Sequence, residues 1–191
     1  MIIKLLKNIF RKWLSIFMLT MLVLPGFSKE KRWKTFKKKT IIDLKKIEGS
    51  CTKVKANFIM DLIHKEKLEF CVEIGDFTWQ TFFAISKAIQ YNKRGQAYAF
   101  YPVFTYPTSK VYDQSIGDYC MRNTIYLKTI RDSFYNLIIK NQLKHCFFYQ
   151  ISPEIASSFF ENNSIDFIHF NIILSEKKYY DTIFNFFPKI K

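Results

Sequence analysis

Glu69–Ile74 (EFCVEI), closed by Gly75, is the stretch that decides the fold: a short, apolar strand with a glycine where the chain must turn. Strands that are apolar on both faces need cover on both sides, which a parallel sheet between helical layers supplies. Downstream the pattern repeats. Thr78 is placed to N-cap a helix from Trp79, with Phe82, Phe83, Ile85 and Ile89 along one side and an end near Gly95. Ala97–Tyr101 (AYAFY) is a second strand, and Tyr106–Arg122, with Pro107 and Gly117, reads as a long loop. Thr124–Asn141 is a helix on the spacing of Ile125, Leu127, Ile130, Phe134, Leu137 and Ile138. Cys146–Ile151 (CFFYQI) is a third strand, followed by a short helix, Pro153–Phe160, with proline in its first turn. Ile165–Ile173 is a fourth strand, and Ser175 caps a last helix to Phe187, stopped by Pro188. With right-handed crossovers, this alternation predicts a Rossmann-like, doubly wound α/β domain. Its mainly parallel sheet has about four strands in the order 3-2-1-4.

Upstream of the domain the chemistry changes. The 191 residues suffice for one domain, and 49% hydrophobic residues exclude a disordered chain. The net charge of +14 is unevenly placed. Residues 29–55 hold eleven bases against three acids (Glu30, Asp43, Glu48), whereas residues 56–191 hold fifteen bases against thirteen acids. The abundance of Lys, Asn, Ile, Phe and Tyr also bears the mark of AT-rich codons, so part of the lysine excess reflects composition. Charge therefore says how the chain is delivered or tethered and little about its chemistry, and nucleic acid drops as a partner.

Residues 1–28 read as a signal peptide or a membrane anchor. Met1–Lys12 is basic, Trp13–Pro25 is an uncharged run of thirteen, and Gly26-Phe27-Ser28 sets small residues two apart. That is the layout of a cleaved leader. The uncleaved alternative extends the apolar face through Ile2–Phe10, because the run alone is short of the ~20 residues of a span. Residues 29–55 form a basic connector in which Trp33 and Phe36 interleave with lysines, suited to an anionic membrane surface. Ile41, Ile42, Leu44 and Ile47 begin a helix-like stripe inside it. Phe58, Ile59, Leu62 and Ile63 then mark a short amphipathic helix at the start of the α/β domain, residues 56–191. Both localisation readings, export and membrane association, stay open on these features.

Three segments in order carry a family resemblance: Val72-Glu73-Ile74-Gly75, Ala97-Tyr98-Ala99, and Asn163-Ser164-Ile165-Asp166-Phe167-Ile168-His169. Over about residues 55–191 the chain resembles class I S-adenosylmethionine-dependent methyltransferases. The resemblance implies that Glu73 and Gly75 shape a pocket for S-adenosylmethionine. It also implies erosion. Thr78 and Trp79 stand where small residues of the glycine-rich loop belong, Tyr101 stands where an acid grips the ribose, and Asn171-Ile172-Ile173-Leu174 replaces an acid- and histidine-bearing stretch. The expectation is a methyltransferase-like protein with eroded or lost activity and no identifiable catalytic residue. In that family the sheet continues past the fourth strand, so the resemblance also describes a C-terminally truncated domain. Its fourth-strand edge would be exposed, and either a protein partner or the N-terminal helices would cover it. The alternative is a membrane-associated basic interaction protein that uses the α/β domain as scaffold.

Other constellations are weaker. Cys51, Cys71, Cys120 and Cys146 show no metal-ligand spacing, and Cys71 and Cys146 fall on non-adjacent strands. His64, His145 and His169 are scattered, with His169 expected to be packed or hydrogen-bonded in its strand. Asp76 follows Gly75 and reads as a helix-capping loop acid, and Ser152 as the cap of the Pro153 helix.

Overall fold

The computed structural model describes residues 25–47, 49, 51–75, 79–101, 124–171 and 176–191. The elements are α1 (Pro25–Leu44), α2 (Lys53–Glu66), β1 (Phe70–Gly75), α3 (Gln80–Asn92), β2 (Gln96–Tyr101), α4 (Thr124–Asn141), β3 (Cys146–Gln150), α5 (Pro153–Ser157), β4 (Phe167–Asn171) and α6 (Glu176–Phe186). A 3₁₀ turn, Phe187–Lys189, follows α6. The four strands form one all-parallel sheet in the order β3-β2-β1-β4. The domain is therefore an α/β fold of the Rossmann-like, doubly wound kind.

Alternation along the strands sorts the core into two layers. Val72 and Ile74 of β1, with Phe100 of β2, pack with Ala156, Ile165 and Phe186, and Tyr98, Tyr149, Ile168 and Phe170 close in around them. This layer is dense in rings: Phe100 stacks on Tyr149 at 5.4 Å between centroids, and Phe160 stands edge-on to Tyr98 at 5.4 Å. On the opposite face, small Ala97 and Ala99 leave room for aromatics from the helices. There Phe148 stacks on Phe134 of α4 at 4.8 Å and meets Trp79 at 5.4 Å.

Local chemistry ends each helix. Thr52 caps α2 by accepting from the Lys55 N–H at 3.1 Å, and Ser152 caps α5 by accepting from the Ile155 N–H at 3.4 Å. Lys67, Lys93 and Gln142 end α2, α3 and α4 in the left-handed region, at φ 57°, 58° and 53°. At the paired ends of α2 and α3, Asn92 donates to the Ile63 carbonyl at 3.1 Å while its Oδ1 lies 2.7 Å from His64 Nδ1. His64 is thereby a structural residue.

Several boundaries differ from the sequence-based expectation. The strand expected from Ile165 begins at Phe167, because Ile165 pairs instead with Ile190 near the end of the chain. The helix at Pro153 stops at Ser157 rather than Phe160, and Pro188 lies within the 3₁₀ turn. Trp79, not Thr78, holds the N-cap position of α3 and makes no side-chain capping bond. Part of the basic connector is helical, since α1 runs unbroken from Pro25 to Leu44. This helix crosses the boundary between two compact units, Met1–Lys39 and Thr40–Lys191. Within the first unit, Trp33 stacks on Phe36 and Lys34 pairs with Glu30 at 2.7 Å. Among the described residues, no helix is long and apolar enough to cross a membrane. Residues 1–24, Asp76, Thr78, the loop Tyr106–Arg122 with Cys120, and Ile172–Ser175 lie outside the described residues.

Asp166 locks the entry edge of the sheet. Its Oδ2 accepts from the N–H groups of Glu69 and Phe70, each at 2.9 Å, and its Oδ1 holds Lys191 Nζ at 2.8 Å. Burial raises the carboxyl pKa, but the Lys191 contact and the two backbone N–H groups outweigh it and hold the group below its ordinary value. A depressed carboxyl pKa stabilises the fold above the unfolded-state value and loses that contribution as pH falls through the folded one. Lys191 is half-exposed, so solvent screens its share. Asp166→Asn is expected to cost about 1–2 kcal/mol at neutral pH. In urea titrations at a series of pH values, the gap from wild type closes below about pH 4. A gap independent of pH overturns the assignment.

Candidate functional site

In open parallel sheets, ligands bind beyond the carboxyl ends of the strands at the point where the winding reverses. Here the chain steps from β1 to β2 to β3 in one direction and returns to the other side of β1 as β4. The reversal lies between β1 and β4. Glu73 of β1 and His169 of β4 are register partners across that line, and Gly75 pairs with Asn171 one step further toward the carboxyl end. Glu73, Gly75, His169 and Asn171 alternate onto the same face of the sheet, as does Tyr101 on β2.

Glu73 is almost fully buried, with 3% of its side chain exposed, and its Oε1 lies 3.3 Å from Nδ1 of His169. A carboxylate only accepts, so with Glu73 ionised the contact is a hydrogen bond in the tautomer that carries its proton on Nδ1. Burying a carboxylate is costly unless it is hydrogen-bonded or paired. The neighbouring imidazole supplies part of that compensation, and the expectation of a hydrogen-bonded His169 matches what is seen. Gly75, buried at the end of β1, has φ +103°, a conformation that glycine adopts without strain.

Trp79 and Tyr101, which the sequence set at positions where the resemblance calls for a small residue and an acid, are both described. Trp79 turns into the core: its Nε1 donates to Ser133 Oγ at 2.8 Å, and its ring stands edge-on to Phe134 and Phe148. Tyr101 is buried at the end of β2. Gln80 at the start of α3 is committed elsewhere, donating to the carbonyls of Leu44 and Ile47 and accepting from the Cys51 N–H.

The strand cysteines Cys71 and Cys146 are poor nucleophiles. Cys51, Cys71 and Cys146 are free thiols, and β2 separates Cys71 on β1 from Cys146 on β3. Burial, with the Asp166 charge adding to it, pushes the Cys71 thiol far up. Burial raises Cys146 to about 11 despite the lowering influence of Ser86 and Lys87. Both stay protonated and inert at neutral pH. Among the described residues, no three His, Cys, Asp or Glu side chains converge as metal ligands. No protein-family model matches the sequence, and no curated protein matches it.

Sequence reasoning named Glu73 and Gly75 as a pair and His169 apart from them, and the structure brings all three to the reversal. The Glu73–His169 contact was beyond its reach, because pairing residues 96 apart depends on the β1–β4 register.

Proposed function

We propose that the α/β domain is a methyltransferase-like fold that retains a remnant S-adenosylmethionine site and has lost methyl transfer. The single observation supporting this reading is the pairing of a buried acid, Glu73, with the positive-φ Gly75 at the winding reversal. When bound, S-adenosylmethionine supplies a cationic sulfonium methyl donor. A buried carboxylate beside a positive-φ glycine fits its charged methionyl end. The ribose end does not fit. Tyr101 brings a phenol, where two hydroxyls call for a carboxylate acceptor, and it is buried in the core. The chain's own residues can thus hold positive charge at Glu73, with His169 beside it.

The magnitude can be stated. Losing charge-assisted hydrogen bonds to two hydroxyls removes about 3–6 kcal/mol, which moves a micromolar site to about 0.1 mM or weaker. Calorimetric titration of the full chain with S-adenosylmethionine is expected to show that weak affinity, and Glu73→Gln to abolish it. No methylated product is expected with any acceptor. Low-micromolar binding overturns the reading.

A further inference from the structure

We infer that the exposed lysine-bearing face of α1 is a docking surface for an anionic lipid bilayer, an interaction separate from the site between β1 and β4. Over Pro25–Leu44 the helix carries seven bases (Lys29, Lys31, Arg32, Lys34, Lys37, Lys38 and Lys39) and two acids, Glu30 and Asp43. Helical geometry sorts them. Trp33, Thr40, Ile41 and Leu44 fall on one stripe and are buried. Lys31, Lys34 and Lys38, at i, i+3 and i+7, run along the other side with Lys39 beside them, and all four are exposed. These four lysines, exposed along one helix, present their charge as a set.

Two further observations select lipid over a nucleic-acid backbone. Ile42, at i+4 and i+3 from Lys38 and Lys39 on the same helix, is 52% exposed, a placement suited to the boundary between headgroups and acyl chains. The α/β body is close to neutral, fifteen bases against thirteen acids in residues 56–191, so the basic excess is concentrated in the N-terminal segment. A polybasic helix of this size is attracted to anionic headgroups by about 1 kcal/mol per base near the surface, and salt screens the attraction within a Debye length. By sequence, the helix also follows directly on the uncharged run Trp13–Pro25, which places its charge beside the most apolar stretch of the chain.

The test uses the full chain and vesicles of phosphatidylcholine with or without phosphatidylserine, scored by co-sedimentation. Wild type is expected to prefer the anionic vesicles, with the preference fading as salt rises. The variant with Lys31, Lys34, Lys38 and Lys39 all replaced by glutamine is expected to bind anionic vesicles on the order of a hundred- to a thousandfold more weakly. The corresponding all-arginine variant retains binding, and equal circular dichroism of the three proteins shows that the fold is kept. Equal binding of wild type and the glutamine variant overturns the proposal. So does equal binding of wild type to neutral and anionic vesicles, or displacement from anionic vesicles by duplex DNA at matched phosphate concentration.

Discussion

Replacing Gly95 with alanine is expected to destabilise the domain by about 3–4 kcal/mol, a large share of the 5–15 kcal/mol that holds a typical fold together. Gly95 sits between α3 and β2 at φ +92°, where an L side chain is strained. A β-carbon there would also lie 2.7 Å from the Cα and 2.9 Å from the carbonyl carbon of Glu69, and closer still to its oxygen. These are backbone atoms, so no rotamer change relieves the collision. The same Glu69 carbonyl accepts from the Gln96 N–H at 2.6 Å, the first rung between β1 and β2. Alanine at 95 therefore pushes apart the two central strands where their pairing begins. Urea unfolding reads the loss as a lower midpoint at unchanged slope. A midpoint equal to that of wild type refutes the close approach.

Phe134→Ala is the second large effect, expected at about 3–5 kcal/mol. Phe134 is 1% exposed and touches three rings, Phe148 of β3 at 4.8 Å, Trp79 at the N-cap of α3 at 5.1 Å and Phe82 of α3 at 5.5 Å. Truncation opens a cavity between α4 and the sheet that stiff neighbouring rings cannot close. It also loosens the Ser133 contact that holds the Trp79 indole. Phe134→Leu keeps most of the volume and is expected to cost about 1–1.5 kcal/mol. Unfolding midpoints of both variants against wild type check the pair. If alanine costs under about 1 kcal/mol, α4 is not docked through this residue.

The parts of this fold that were legible in the sequence are those written in local periodicity. Thr124–Asn141 was readable to its end residues because apolar side chains recur every three to four positions along it. EFCVEI, AYAFY and CFFYQI were readable because β-favouring residues are bounded by turn signals. Strand order followed from their alternation with helices. Long-range register was not legible, and with it went the Asp166 lock, the Glu73–His169 contact and the close approach at Gly95. Each depends on which residue of one strand lies opposite which residue of another, a choice that only the assembled core makes. The length of α1 was hidden for a different reason. Lysine favours helix nearly as well as alanine does, but it leaves no apolar stripe to read, and Trp33, Thr40, Ile41 and Leu44 are too sparse to mark one. At the site, Glu73 and Gly75 were visible as a pair, whereas the inward turn of Trp79 follows from the ring cluster around Phe134.

The order in which β1 acquires its neighbours has a consequence for how the protein is made. Its ladder with β2 joins residues 26 apart, such as Phe70 and Gln96, whereas the Glu73–His169 contact to β4 spans 96 residues. At about 5–20 residues per second, a nascent chain carries β1 for roughly 5–20 s before β4 has been synthesised. During that interval one edge of β1 is bare, and such edges recruit strands from other chains. Glu73 lies in that edge. A charge within a temporarily open strand discourages foreign pairing, because any partner that seals over it must desolvate a carboxylate with no imidazole opposite. The residue that is costly to bury in the finished domain thus also guards the unfinished one, until the histidine that compensates it arrives.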